Sequence, residues 1–328
     1  MKHRFHCIGI LPLLAITFCA FPLLAQVNIT HSGDKVSVTV DGKPMTELHL
    51  ASPKPYLHPL RAASGKIISR LFPMEEREGE LKDHPHHRGL FYAHGDVNGV
   101  DFWANEASYK RDNLGLIELI KVEHVKSGAD SGSVRVRFAW KDPKGVLMLE
   151  EDRTMVFRKA PGQRIIDFDF TLTAKQDVTF VDTKEGTFAL RTSPEFELPG
   201  NRRAPATPKR TGRMVNSNGQ EGAGIWGKRA AWVDYSAVVD GEELGIAMMD
   251  HPSNPRFPTY WHARDYGLFS LNPFGVRDFE RNKSLDGSMK LGNGEFVRFR
   301  YRLVIHEGDE KDADVARLFD SYRSSATE

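Results

Sequence analysis

Residues 83–96 read Asp-His-Pro-His-His-Arg-Gly-Leu-Phe-Tyr-Ala-His-Gly-Asp and hold four of the thirteen histidines of a 328-residue chain. Imidazole gives or takes a proton near neutral pH, so this stretch is the first candidate for chemistry. Pro85 and Gly89 argue against a helix through His84, His86 and His87. An extended or turning segment entering a strand at Leu90–Ala93 is expected, with His84 and His86 on one side and His87 on the other. One use is general acid–base transfer by His86, His87 and His94, with His251 from a distant loop and Glu185 as a carboxylate partner. The competing use is a divalent metal held by His84, His86 and His94 with Asp83 or Asp96, which would polarise a carbonyl or activate water. Pro85 restricts convergence of His84 and His86, and no second ligand motif accompanies them, so no assured cofactor is expected and a divalent metal is the alternative.

Three further stretches carry polar chemistry. The first is Asp182-Thr183-Lys184-Glu185-Gly186, leading to Arg191. The second runs from Trp226 to Tyr235, with Lys228, Arg229 and Asp234 between and beside aromatic rings. The third joins Asp250-His251-Pro252-Ser253-Asn254-Pro255 to Thr259-Tyr260-Trp261-His262 and on to Gly275. Aromatic faces beside hydrogen-bonding groups suit a sugar ring, whose C–H face stacks while its hydroxyls are bonded. Arg88, Lys184, Lys228, Asp234, Tyr260, Trp261 and His262 are the candidate binding residues.

The elements that must position these residues read as strands. Val36, Val38 and Val40 alternate before Asp41-Gly42, and a second Asp-Gly pair, Asp240-Gly241, separates Tyr235–Val239 from Leu244–Met249. Alternation also marks Val134–Trp140, Ile166–Leu172 and Val297–Ile305, the last with Arg298, Arg300 and Arg302 on its other face, a row expected to be solvated or paired with acids of a neighbouring strand. Only the last segment, with Val315, Ala316, Phe319 and Tyr322 behind Asp312 as cap, reads as helix. No dinucleotide fingerprint, phosphate loop, CxxC or HExxH motif is present. The expectation is an all-β protein, a large antiparallel β-sandwich with a short C-terminal helix, formed as one domain over residues 26–328. The Pro- and Gly-rich interval from Pro194 to Gly224 is expected as a long excursion from the sheets, lying over a face as a lid.

Lys2 and Arg4 precede an apolar run from Ile8 to Ala25, the pattern of a secretory signal over residues 1–25. Both cysteines, Cys7 and Cys19, fall inside it, so the mature chain is expected to be exported, periplasmic or extracellular, without disulfide or thiol chemistry. Loss of Lys2 and Arg4 takes two basic residues from 45 against 44 acidic ones. Near-neutrality gives no reason to expect a nucleic-acid partner, and no apolar run in the mature sequence is long enough to span a membrane. The one basic cluster, Arg202, Arg203, Lys209, Arg210 and Arg213, is expected in a solvated loop.

The combination of DHPHHRGLFYAHGDVNGVDFW, DTKEGTFALR, WGKRAAWVDY and DHPSNPRFPTYWHARDYGLFSLNPFG resembles the secreted bacterial "PmoA family", also labelled "methane oxygenase PmoA", over most of the mature chain. The resemblance supplies a family rather than a reaction, because the label is that of a membrane oxygenase subunit. By analogy of fold class, such a protein is similar to galactose-mutarotase-like super-sandwiches, in which a concave sheet face binds a sugar. The expected function is that of an exported carbohydrate-active protein with acid–base chemistry of epimerase or mutarotase, lyase or glycosidase type. The alternatives are a non-catalytic carbohydrate-binding protein and a metal-dependent sugar-processing enzyme.

Overall fold

The computed structural model describes residues 26–200 and 204–324, together with Met1; the segment expected as a secretory signal, with Cys7 and Cys19, and Arg202 and Arg203 lie outside the described residues. The first strands are β1 Val27–Ser32, β2 Lys35–Val40, β3 Lys43–His49, β4 Tyr56–Leu57, β5 Leu90–His94, β6 Leu116–Lys126, β7 Ser131–Lys141, β8 Leu147–Ala160 and β9 Gln163–Ala174. They are followed by β10 Val178–Phe180, β11 Gly186–Arg191, β12 Arg213–Asn216, β13 Trp232–Val239, β14 Glu242–Asp250, β15 Tyr260–Trp261, β16 Leu268–Asn272, β17 Met289–Leu291 and β18 Phe296–Glu307. Eight of them form a first sheet in the order β1-β2-β3-β4-β5-β11-β16-β15, and eight form a second in the order β12-β13-β14-β18-β9-β8-β7-β6. β10 and β17 pair separately, and the paired strands run antiparallel. The protein is an all-β antiparallel sandwich, as the alternating runs predict.

Local chemistry explains the hairpins. Asp41 and Gly42 between β2 and β3 have φ of 53° and 75°, and Asp240 and Gly241 between β13 and β14 have 48° and 82°. Two consecutive positive φ values make the turn whose twist matches that of the strands, and Asp-Gly adopts it at low cost. Alternation then sorts each strand into a core row and an outer row. On β18, Val297, Phe299, Tyr301, Leu303 and Ile305 are buried in the main core, while Arg298 and Arg302 pair with Asp169 and Asp167 of β9.

The two sheets meet through interlocked aromatic rings. Tyr92 of β5 stacks on Phe170 of β9 with centroids 4.3 Å apart, and Phe188 of β11 lies parallel to Tyr301 of β18 at 4.9 Å. Helix α1, Val276–Phe279, is a single turn that the apolar pattern does not announce. Helix α2, Val315–Arg323, lays Val315, Phe319 and Tyr322 over Ile165, Ala247, Met249 and Val304, on the side of the second sheet away from the first. Its cap is Asp314, whose side chain accepts from the Arg317 N–H, and not Asp312, whose carboxylate instead accepts from the Asp309 N–H. The interval after Pro194 is not a lid alone: β12 pairs with β13 as the edge of the second sheet, and Arg210 ties the loop down by donating to the carbonyl of Gly79 at 2.7 Å. Among the described residues no helix is long and apolar enough to cross a membrane.

Phe170 touches Tyr92, Phe168, Phe188 and Tyr301 at once. Phe170→Ala is expected to lower unfolding free energy by about 4 kcal/mol, read as a drop in the urea midpoint with little change in slope. A loss below about 1 kcal/mol would show that this stack is not the joint between the sheets.

Candidate functional site

β5 begins, β11 ends and β16 begins side by side, since Leu90 pairs with Leu190 and Arg191 with Leu268. Tyr92 and Phe188 point at the second sheet, so by alternation Phe91, Ala189 and Arg191 point away from it. The histidine segment lies over this outer surface. It is a turn rather than an extended run: the His87 N–H donates to the His84 carbonyl at 3.0 Å. The turn brings together three rings that strict alternation would have parted. His84 stacks on His87 at 4.9 Å, His86 meets His87 edge-on at 4.2 Å, and His84 and His86 are 5.7 Å apart.

Asp83 fixes this turn. Its Oδ1 accepts from Arg70 Nη1 at 2.8 Å and Arg191 Nη2 at 3.0 Å, and both guanidiniums are buried. Arg70 also donates to the carbonyls of Asp83 and His84, both at 2.8 Å, so the cation organises the loop backbone as well as the carboxylate. The second Asp83 oxygen lies 2.9 Å from His84 Nδ1. Burial opposes the Asp83 charge, but the His84 bond and the two arginines outweigh it and hold the carboxyl well below its usual range. His84 remains accessible, with its side chain 42% exposed. His86 bonds the Tyr109 hydroxyl through Nδ1 at 2.9 Å. Burial, with Lys54 and His84 nearby, pushes His86 down to about 2, and burial with His86 and Arg191 pushes His87 well below its ordinary value, so both are neutral hydrogen-bonding groups at pH 7.

Tyr266 stacks on His84 at 5.6 Å and carries the guanidiniums of Arg191 and Arg264 over its ring at 4.7 and 5.3 Å. Lys54 is buried beneath, 4.5 Å above the Phe91 ring, donating to Asn105 at 3.0 Å and to the Trp103 carbonyl. Burial lowers its amine to about 7 against the pull of Glu106 and Asp101. His87 Nε2, Trp103 Nε1 and Arg191 Nε are buried without a hydrogen-bond partner among the described residues. Arg88 is already committed, giving two 2.8 Å bonds to Glu106.

Glu185 and Lys184, paired at 2.5 Å, stand before β11 on the same side. His262, next to the core-facing Trp261, donates Nδ1–H to the Lys184 carbonyl at 3.0 Å; burial lowers it to about 4, partly offset by Glu185. Its ring meets Trp226 at 6.4 Å, and Arg281 lies 5.7 Å over Trp226. Trp226, Arg264, Asp265 and Arg281 line a cavity of about 320 Å³ here. The Tyr266 phenol is raised by burial, drawn down by Arg264 and Arg191, and raised by Glu185 and Asp83. Arg264, over the Tyr266 ring, also lines the Trp226 cavity and so joins the two halves of the site. Tyr260 belongs to the rim, its hydroxyl donating to Glu280 at 2.7 Å with Arg229 over its ring.

Several expected partners lie elsewhere. His94 continues the inward row of Tyr92: its Nε2–H donates to the Val181 carbonyl at 2.8 Å, Phe274 packs against it at 4.8 Å, and burial lowers it to about 4. His251 lies beyond the second sheet, with Nε2 accepting from Arg300 at 3.1 Å and Tyr322 at 5.0 Å. Asp234 is buried in a 2.7 Å pair with His306, which raises that imidazole against its burial. Trp261 is core, with its Nε1–H given to the Ala230 carbonyl at 2.9 Å, and Lys228 is exposed. Asp96 accepts from the Gly99 N–H at 2.7 Å. His84, His86, His94, Asp83 and Asp96 thus do not converge as a ligand set, and among the described residues no group of three or more His, Cys, Asp or Glu is placed to hold a metal ion. Tyr109, Tyr266, Arg70, Lys54 and Trp103 were not singled out from the sequence; only Tyr266 and Trp103 sit in the stretches that drew attention.

Asp83→Asn leaves two buried guanidiniums without their shared anion. It should cost about 3 kcal/mol of unfolding free energy at neutral pH. Because the folded carboxyl titrates lower than the unfolded one, near 4, its contribution is present above that pH and fades as pH falls toward the folded value. Urea titrations of both proteins should therefore converge in acid; a gap that persists unchanged would deny Asp83 this role.

No curated protein matches the chain in sequence. Among solved structures it is similar to a putative aldose 1-epimerase from Klebsiella pneumoniae, with a TM-score of 0.40 and 10% identity over 92% of this chain and 88% of that one. It is also similar to a galactose mutarotase-like protein from Lactobacillus casei, with a TM-score of 0.38 and 6% identity over 85% of this chain and 100% of that one. A GH36 alpha-galactosidase from Geobacillus stearothermophilus matches with a TM-score of 0.38 and 9% identity over 86% of this chain, which spans 41% of that enzyme's length. At such scores the chemistry of the site has to be read from its own residues. The model of the family of unknown function DUF6807 matches residues 35–320, and the chain belongs to that family.

Proposed function

We propose that the protein is an exported carbohydrate-active enzyme that performs acid–base chemistry on a sugar at the outer surface of the first sheet, with His84 as its accessible proton carrier. The observation that carries this is the Asp83–His84 contact of 2.9 Å, in which an anchored carboxylate meets a half-exposed imidazole. The carboxylate would set the Nδ1–H tautomer, leave Nε2 to the substrate and stabilise the imidazolium once it forms. Arg70 and Arg191 keep Asp83 ionised during that step. Glu185, 36% exposed and paired with Lys184, whose carbonyl accepts from His262, is the second carrier. Two accessible carriers suit sugar ring opening, where one takes the anomeric hydroxyl proton while the other protonates the ring oxygen. His86 and His87, uncharged and buried, fix positions and do not exchange protons in this scheme. Trp226 and Tyr266 supply faces for the sugar's C–H side.

A second reading, a non-catalytic sugar-binding protein, is favoured by Trp226, whose buried Nε1–H has no partner among the described residues. The two readings part in kinetics. His84→Asn should abolish turnover of a reducing sugar in a mutarotation or epimerisation assay while affinity stays within about tenfold, and Trp226→Ala should weaken binding first. Tight binding with no product across reducing sugars, keto-sugars and glycosides would replace the enzyme by the binder.

Export rests on Lys2 and Arg4 ahead of the apolar run to Ala25. N-terminal sequencing of protein from the envelope fraction should begin after Ala25; an intact Met1 on a cytoplasmic species would refute it.

A further inference from the structure

The outer face of the second sheet, on the opposite side of the sandwich from His84, holds a concavity of about 600 Å³. That volume is in the range of small-ligand sites. Its floor is built by β7, β8, β9 and β18, whose outward residues alternate in charge. Arg135 pairs with Asp152, Arg298 with Asp169, and Arg158 with Asp167. Arg300 lines the same cavity and breaks the pattern. Its Nη1–H donates to His251 Nε2 at 3.1 Å, and among the described residues no carboxylate bonds its side chain. His251 is lowered to about 4 by burial and by Arg300, Arg298 and Arg302, so its neutral ring cannot balance the cation. Among the described ionised residues lining the cavity, four arginines face three aspartates, with Asp167 shared between Arg158 and Arg302, and Arg300 is the lining arginine without a carboxylate partner.

We propose that this face is a binding surface for an acidic saccharide, with Arg300 as the residue that takes its carboxylate. A guanidinium held on one edge by His251 keeps N–H groups for a planar anion, and a carboxylate matches that fork. Thr154, Thr171 and Thr173 line the cavity beside it. Their hydroxyls both donate and accept, as a polyhydroxylated ring requires. The Arg–Asp pairs around them offer further lone pairs and N–H groups, so the surface presents one guanidinium without a carboxylate partner to an anionic group on a hydroxyl-rich body.

Isothermal titration of the full mature protein with trigalacturonic acid tests this, with the neutral trisaccharide maltotriose and inorganic sulfate as comparisons. The acidic trisaccharide should bind, and Arg300→Gln should weaken it roughly tenfold to hundredfold, the value of a charge-assisted bond to an ion. Arg300→Lys, which keeps the charge but not the fork, should fall between. His84→Asn should leave this affinity unchanged, which separates the surface from the acid–base site. Unaltered affinity in a folded Arg300→Gln protein, absence of trigalacturonate binding, or equal binding of sulfate or maltotriose would each overturn the proposal.

Discussion

A single carboxylate shared by two buried guanidiniums holds the candidate site together. Arg70 and Arg191 come from segments 121 residues apart, yet each places a nitrogen within 3.0 Å of the same Asp83 oxygen. Neither cation is tolerable in the interior without an anion, so the loop that carries Asp83 has one position it can occupy. The turn from His84 to His87 follows from that position, because Arg70 also binds the carbonyls of Asp83 and His84. Folding and site assembly are therefore the same event here: the buried guanidiniums are compensated only when Asp83, and with it the turn that carries His84, is delivered to them.

The sandwich then divides the histidines by parity. β5 exposes Phe91 to the site side and sends Tyr92 and His94 inward, so one residue of offset decides whether an imidazole meets solvent or Phe274. The same rule separates Trp261, which fills the core against Phe269, from His262, which meets Trp226. Neither assignment depends on residue type. It depends on which row of the strand faces the other sheet, and that is fixed by the aromatic joint around Phe170 and Tyr301.

Elements with local causes were legible in the sequence. Alternating runs became strands, both Asp-Gly pairs became hairpin turns, and the acids that pair with Arg298 and Arg302 do lie on a neighbouring strand. The site was legible only as neighbourhoods. Asp83, His84, Glu185 and His262 lie in the stretches that drew attention, but their roles required knowing what is buried beside them. Arg70 sits in an apolar run with no motif around it, and Tyr109 in an unremarkable loop, so nothing local marks either. Asp234 and His94 mislead for the converse reason: polar residues satisfied in the core by His306 and by the Val181 carbonyl look, in sequence, like residues waiting for a ligand.

The two outer faces of the sandwich also handle charge in opposite ways. The first concentrates two cations on one anion beside His86 and His87, which burial keeps neutral, and leaves His84 exposed. The second spreads arginines and aspartates across four strands and neutralises them pair by pair until Arg300, where the partner is a neutral ring. The carrier proposed on the first face is exposed beside one fixed anion, whose field is local. On the second face arginines and aspartates hold one another in fixed ion pairs across neighbouring strands. The same alternation of strand residues that builds one core thus yields one surface suited to moving a proton and another suited to holding a fixed charge.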